Sequence, residues 1–174
     1  FFFSRNIGIS AATGDAIPIL GGTRLTGRAG RFEVGLINMQ QRASGTNNAT
    51  NFTAARLRRN ILRNSDIGFM MTDKEVMNSG LFNRVVGGDG NFRFGRYTNV
   101  NAYIAKSFSP SSPVAGSNGH TLAGRSSVNY QDPKWNFRVS YTNVEQNFNN
   151  EMGFVPRLGV RKTAGYVGRT FRPE

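Results

Sequence analysis

Apolar and polar residues alternate with period two over most of this chain, and that rhythm constrains its fold more than any other feature. The clearest stretch runs from His120 to Gln146. Leu122, Gly124, Ser126, Val128 and Tyr130 fall on one side, and Thr121, Ala123, Arg125, Ser127 and Asn129 on the other. Gln131-Asp132-Pro133-Lys134 then forms a tight-turn sequence, in which Pro presets φ. Beyond it, Trp135, Phe137, Val139 and Tyr141 alternate with Asn136, Arg138, Ser140 and Thr142. Successive strand residues point to opposite faces, so this segment predicts a β-hairpin with one apolar and one polar face.

The same plan recurs along the chain. It predicts hairpins at about 23–40, 52–72, 84–108 and 120–146, and a ninth strand at about 159–170. Tight turns fall near residues 30, 64, 96 and 132. Longer polar loops, rich in Asn, Ser, Gly and Pro, fall at about 41–51, 74–82, 109–119 and 147–156. All short turns therefore lie at one end of the sheet and all long loops at the other. The fold class is all-β: an antiparallel up-and-down meander in one domain spanning 1–174.

Two architectures have this pattern. One is a transmembrane β-barrel of the bacterial outer membrane, with strands of ~9–11 residues, short inner turns and long outer loops. The other is a soluble, lipocalin-like barrel with its apolar face turned in around a small ligand. Strand length favours the membrane barrel. So do aromatics at both strand ends, with Phe32, Phe94, Tyr97, Tyr130 and Trp135 near the tight turns. Phe52, Phe82, Phe108 and Phe148 lie near the loops, and together the two groups would form two interfacial girdles. Gly and Ala on the apolar face also suit lipid better than a small soluble core. Nine strands is odd for a bacterial barrel, and the chain has no initiator Met, so further strands outside it are expected. Arg59, Lys106 and Lys162 fit badly, because each shares the phase of apolar neighbours. A Lys facing lipid at the midplane costs roughly 2–4 kcal/mol.

In the membrane reading the polar face is the lumen. Arg24, Arg28, Arg56, Arg58, Arg93, Arg125, Arg138 and Arg161 would line it, and guanidinium forks favour anionic solutes. The structural alternative pairs these cations with Glu33, Asp89, Glu145 and a plug. The formal charge is +12, with Arg supplying 18 of the 22 cations. These cations are spread along the chain rather than clustered, so no nucleic-acid partner is expected. With no Cys and one His, the chain lacks the means for thiolate chemistry or a His-rich metal site. No catalytic constellation, cofactor or metal is expected, and the chain does not read as an enzyme. His120 is expected as an exposed loop residue. Asp73 and Glu75 alone make a weak Ca²⁺ signal. Gly87-Gly88-Asp89-Gly90 precedes no helix, so it marks a bend or a close approach by another backbone rather than a phosphate loop. Asn48-Ala49-Thr50 and Asn51-Phe52-Thr53 fit the glycosylation acceptor pattern, which carries little meaning in a bacterial protein.

Several segments carry a family resemblance. They are Phe2-Phe3-Ser4-Arg5, Pro18 to Arg28, Ala55 to Leu62 and Gly153-Phe154-Val155-Pro156-Arg157. Together they resemble an uncharacterised barrel domain of exported Gram-negative bacterial proteins, which follows a carbohydrate-binding module of the family-nine type. The resemblance implies outer-membrane lipid as surroundings, an N-terminal carbohydrate-binding-like module as partner, and service as an anchor or an anion pore. It supplies no catalytic residues. The chain departs from it in lacking the module and in ending at Arg172-Pro173-Glu174 without an aromatic terminal strand.

Overall fold

The computed structural model describes residues 2–3, 7–10, 13–45, 47–110 and 119–171. Ser4, Arg5, the 111–118 part of the Ser/Pro loop and Arg172-Pro173-Glu174 lie outside the described residues.

Nine strands follow one another: β1 (Ile19–Ala29), β2 (Phe32–Gln41), β3 (Thr50–Ile61), β4 (Ser65–Val76), β5 (Leu81–Phe94), β6 (Thr98–Phe108), β7 (Leu122–Gln131), β8 (Trp135–Val144) and β9 (Val160–Arg169). Each pairs antiparallel with the next, and sheet order equals chain order. The result is one open up-and-down sheet with β1 and β9 at its edges.

The tight turns follow from local chemistry. Gly30, at φ 58°, takes the first central position of the two-residue β1–β2 turn, where a left-handed residue matches the strand twist. Gly95, also left-handed at φ 60°, opens the three-residue connection (95–97) between β5 and β6. The β7–β8 turn is built on Asp132. It accepts hydrogen bonds from the Trp135 N–H, the Tyr130 hydroxyl and the Lys134 N–H, which hold its carboxyl below the usual carboxylate range.

Residues paired across strands share a face. One row of the apolar face reads Val34, Leu57, Phe69, Gly88, Ile104 and Gly124. Its large side chains are open to the surroundings: Leu25 is 61% exposed, Ile104 59% and Val139 56%. The buried cores lie on the opposite, polar face. There Phe148, 1% exposed, packs among Val85, Ala105 and Ala123, and Met152 packs with Phe52 and Ala54. Phe148 and Met152 belong to the β8–β9 connection, which folds back over the loop end of the polar face.

Two expectations about phase change with the register. In β9, Lys162 pairs with Thr142 and so lies on the polar face, which removes the awkward apolar-face lysine. Arg161 pairs with Asn143 and lies on the apolar face, so it is not among the polar-face arginines. The residues of β9 alternate too weakly to set its phase, with Tyr166 and Val167 on opposite faces. Pairing with β8 sets it instead.

Candidate functional site

The polar face is divided along the strands. At its loop end, small residues form a bed for the β8–β9 connection. The N–H of Glu151 donates to Asn83 Oδ1 at 3.0 Å, and Asn83 Nδ2 donates to the Asn149 carbonyl at 3.1 Å. The Asn149 N–H donates to Ser107 Oγ at 3.0 Å, and Lys74 pairs with Glu151 at 2.6 Å. The N-terminal segment joins this plug, with Phe2 and Ile7 packed on the Phe52–Met152 cluster and the Phe3 N–H bonded to the Met152 carbonyl.

One register row crosses the whole polar face, close to the tight turns in β1–β3 and close to the long loops in β7–β9: Arg28, Glu33, Arg58, Gly68, Asp89, Tyr103, Arg125, Thr142, Lys162. Its first half is an ion ladder. Arg28 pairs with Glu33, Arg58 bridges Glu33 at 3.7 Å and Asp66 at 2.7 Å, and Arg56 grips both oxygens of Asp89. Gly68 makes that last pair possible, because a Cβ there would lie 2.6 Å from the Arg56 guanidinium and 2.9 Å from Asp89. Asn91 and Asn99 extend the network from Asp66. In the second half, Arg125 and Lys162 have no carboxylate partner among the described residues, nor do Arg24 and Arg93. Arg138 bonds Asn129 at 2.8 Å.

Seven of the eight arginines expected on the polar face are there: Arg24, Arg28, Arg56, Arg58, Arg93, Arg125 and Arg138. Of the expected carboxylate partners, Glu33 and Asp89 are paired with arginine. Among the described residues Glu145 has no arginine partner; it accepts the Leu122 N–H and faces His120 at 3.8 Å. Asp66 and Gly68 are not among the residues the sequence singles out, and Lys162 takes the polar face where its neighbours imply the apolar one. Counting in twos from Asp66 reaches Gly68 and sets both on the face opposite Ile67 and Phe69, but nothing local signals the polar phase of Lys162.

Phe32, Phe94, Tyr130, Trp135, Phe82 and Phe108 lie on the apolar face near strand ends, and Tyr97 lies in the β5–β6 turn. Phe52 and Phe148 do not belong to that girdle. Both are buried on the polar face, Phe52 because it is one residue out of phase and Phe148 because its loop turns inward. The girdle has another component. Arg59 sits over Phe32 at 5.1 Å and Arg169 over Trp135 at 5.1 Å at the turn end. Arg84 over Phe82 at 4.7 Å and Lys106 over Phe108 at 5.3 Å mark the loop end.

Asp73 is taken by Arg84 at 3.0 Å, and the described residues contain no group of three or more potential metal ligands. His120 is exposed at φ 62°. Gly87 is a close approach: a Cβ there would meet the Ile104 carbonyl at 2.9 Å. Compared with known proteins, the chain matches no family model, no curated protein and no solved structure.

Proposed function

We propose that this chain forms part of the wall of an outer-membrane β-barrel, with the apolar face toward lipid and the polar face toward a filled interior. The observation that carries this reading is the side on which the connections fold. Phe148, Met152 and Phe52 are buried on the polar face, while the large side chains of the other face remain uncovered. A soluble lipocalin-like barrel needs the reverse, with the apolar face enclosed.

The edges of the apolar belt add support. Traced through the register, its turn-side edge runs from Phe32 on β2 to Arg169 on β9, and its loop-side edge from Asn38 to Arg161. Both edges drift the same way, by about four to six residues across seven strand spacings, or roughly 14–20 Å against roughly 34 Å. Strands tilted roughly 20–30° to a slab would produce that drift, in the direction of the 35–45° typical of spanning barrels. In lipid, the free sides of β1 and β9 require partner strands.

The ion ladder and the plug favour service as an anchor for a surface protein. The link to carbohydrate handling rests on the sequence resemblance. A second reading, passage of anions, is favoured by Arg93, Arg125 and Lys162, which have no carboxylate partner among the described residues.

The test is far-UV circular dichroism with Trp135 fluorescence, first in buffer and then with phospholipid vesicles. A β spectrum that forms only with vesicles, and Trp135 quenching by brominated acyl chains, is the expected result. A cooperative β-fold in buffer with Trp135 unquenched in vesicles would favour the soluble barrel.

A further inference from the structure

The apolar face is not evenly filled. Across β4–β8 it carries a groove of about 580 Å³. Gly88 and Gly124 form its floor, and Ile67, Phe92, Ile104 and Tyr141 rise around it. Glycine weakens a strand, so its use in a half-exposed sheet has a local reason. For Gly124 that reason is backbone approach, since a Cβ would meet the Tyr103 carbonyl at 3.1 Å. For Gly88 it is not. A Cβ there would find nothing nearer than the Gly68 carbonyl at 3.6 Å, an ordinary contact. Backbone packing leaves room for a side chain at 88, and its absence keeps the groove open.

Two cations flank the loop-side end of this groove on the same face. Lys106 pairs in register with Leu122, which lines the groove, and Arg161 pairs with Asn143, which also lines it. Neither has a carboxylate partner among the described residues. Glu145, a carboxylate on the same rim, is engaged by the Leu122 N–H at 2.8 Å and faces His120. A cation on a lipid-facing surface is tolerated near the interface, where headgroups can meet it, and Lys106 is further steadied over the Phe108 ring.

An apolar trough bordered by two cations with no carboxylate partner among the described residues matches an anionic amphiphile. We infer that the groove is a lipid site, holding one acyl chain of an anionic phospholipid over Gly88 with its headgroup at the rim that carries Lys106 on β6 and Arg161 on β9. The site rests on the membrane reading.

The experiment is native mass spectrometry of the full chain, taken from vesicles containing equal phosphatidylglycerol and phosphatidylcholine. Trp135 quenching by brominated chains is read on the same vesicles to report insertion. Retention of phosphatidylglycerol over phosphatidylcholine by about tenfold is expected, since a cation near an anionic headgroup is worth about 1 kcal/mol and the rim carries two. The double variant Lys106→Gln with Arg161→Gln should equalise the two lipids. Gly88→Leu should lower retention of both. The rim pair touches no packed core, so it remains informative if Gly88→Leu folds poorly. Inserted protein with no preference, or a preference that survives the rim variant, overturns the lipid site and leaves the membrane reading standing. Displacement by inorganic phosphate alone would overturn the acyl-chain part of the assignment. Failure to insert would overturn both.

Discussion

A phenylalanine at a strand end in this chain takes one of two places. Phe32, Phe94 and Phe108 stand at the rims of the apolar face, whereas Phe52 and Phe148 are enclosed on the polar face. Residue type was legible in the sequence, but the choice between these places was not. For Phe52 the deciding fact is phase, since it pairs with Met39 and Lys74, both on the polar side. For Phe148 it is a loop trajectory fixed by Asn83 and Ser107, far away in sequence. Phe148→Ala should therefore cost about 3–5 kcal/mol, as loss of a fully packed aromatic does. Phe108→Ala, 43% exposed, should cost far less. Denaturant titration of both variants in one amphiphile would check this, and equal losses would contradict the plug.

At the scale of strands and turns, the sequence was most readable where turn chemistry was explicit. Asp132-Pro133 and Gly30 announce their turns, and alternation is strong in β7 and β8. It was least readable in β9, where Gly, Ala and Thr carry no phase and the neighbouring strand decides. The glycines of β5 show how alike residues part in role. Gly87 lies against the β6 backbone, and Gly88 faces open space. Gly87→Val should destabilise by about 1–3 kcal/mol through overpacking against Ile104 and Ala105. Gly88→Val should be close to neutral or stabilising in the same titration, because β-branched residues favour strands. The reverse order would mean that the register between β5 and β6 is wrong.

For the whole molecule, the sequence indicated a meander with two unlike faces but not which face is inner. Alternation is symmetric with respect to that choice. What breaks the symmetry is three-dimensional: the β8–β9 connection and the N-terminal segment bury apolar groups on the polar face, and the ion ladder neutralises charge there. The partly neutralised polar face and the uncovered apolar belt together suit a sheet that meets lipid on one side only. The chain contains no cysteine, so single cysteines can be introduced without background. The most direct test places an environment-sensitive thiol probe at successive positions of β8, from Phe137 to Tyr141, in vesicles containing lipid-phase quencher. The account predicts strong quenching at 137, 139 and 141 and weak quenching at 138 and 140. Uniform quenching, or none at the three apolar positions, would contradict it.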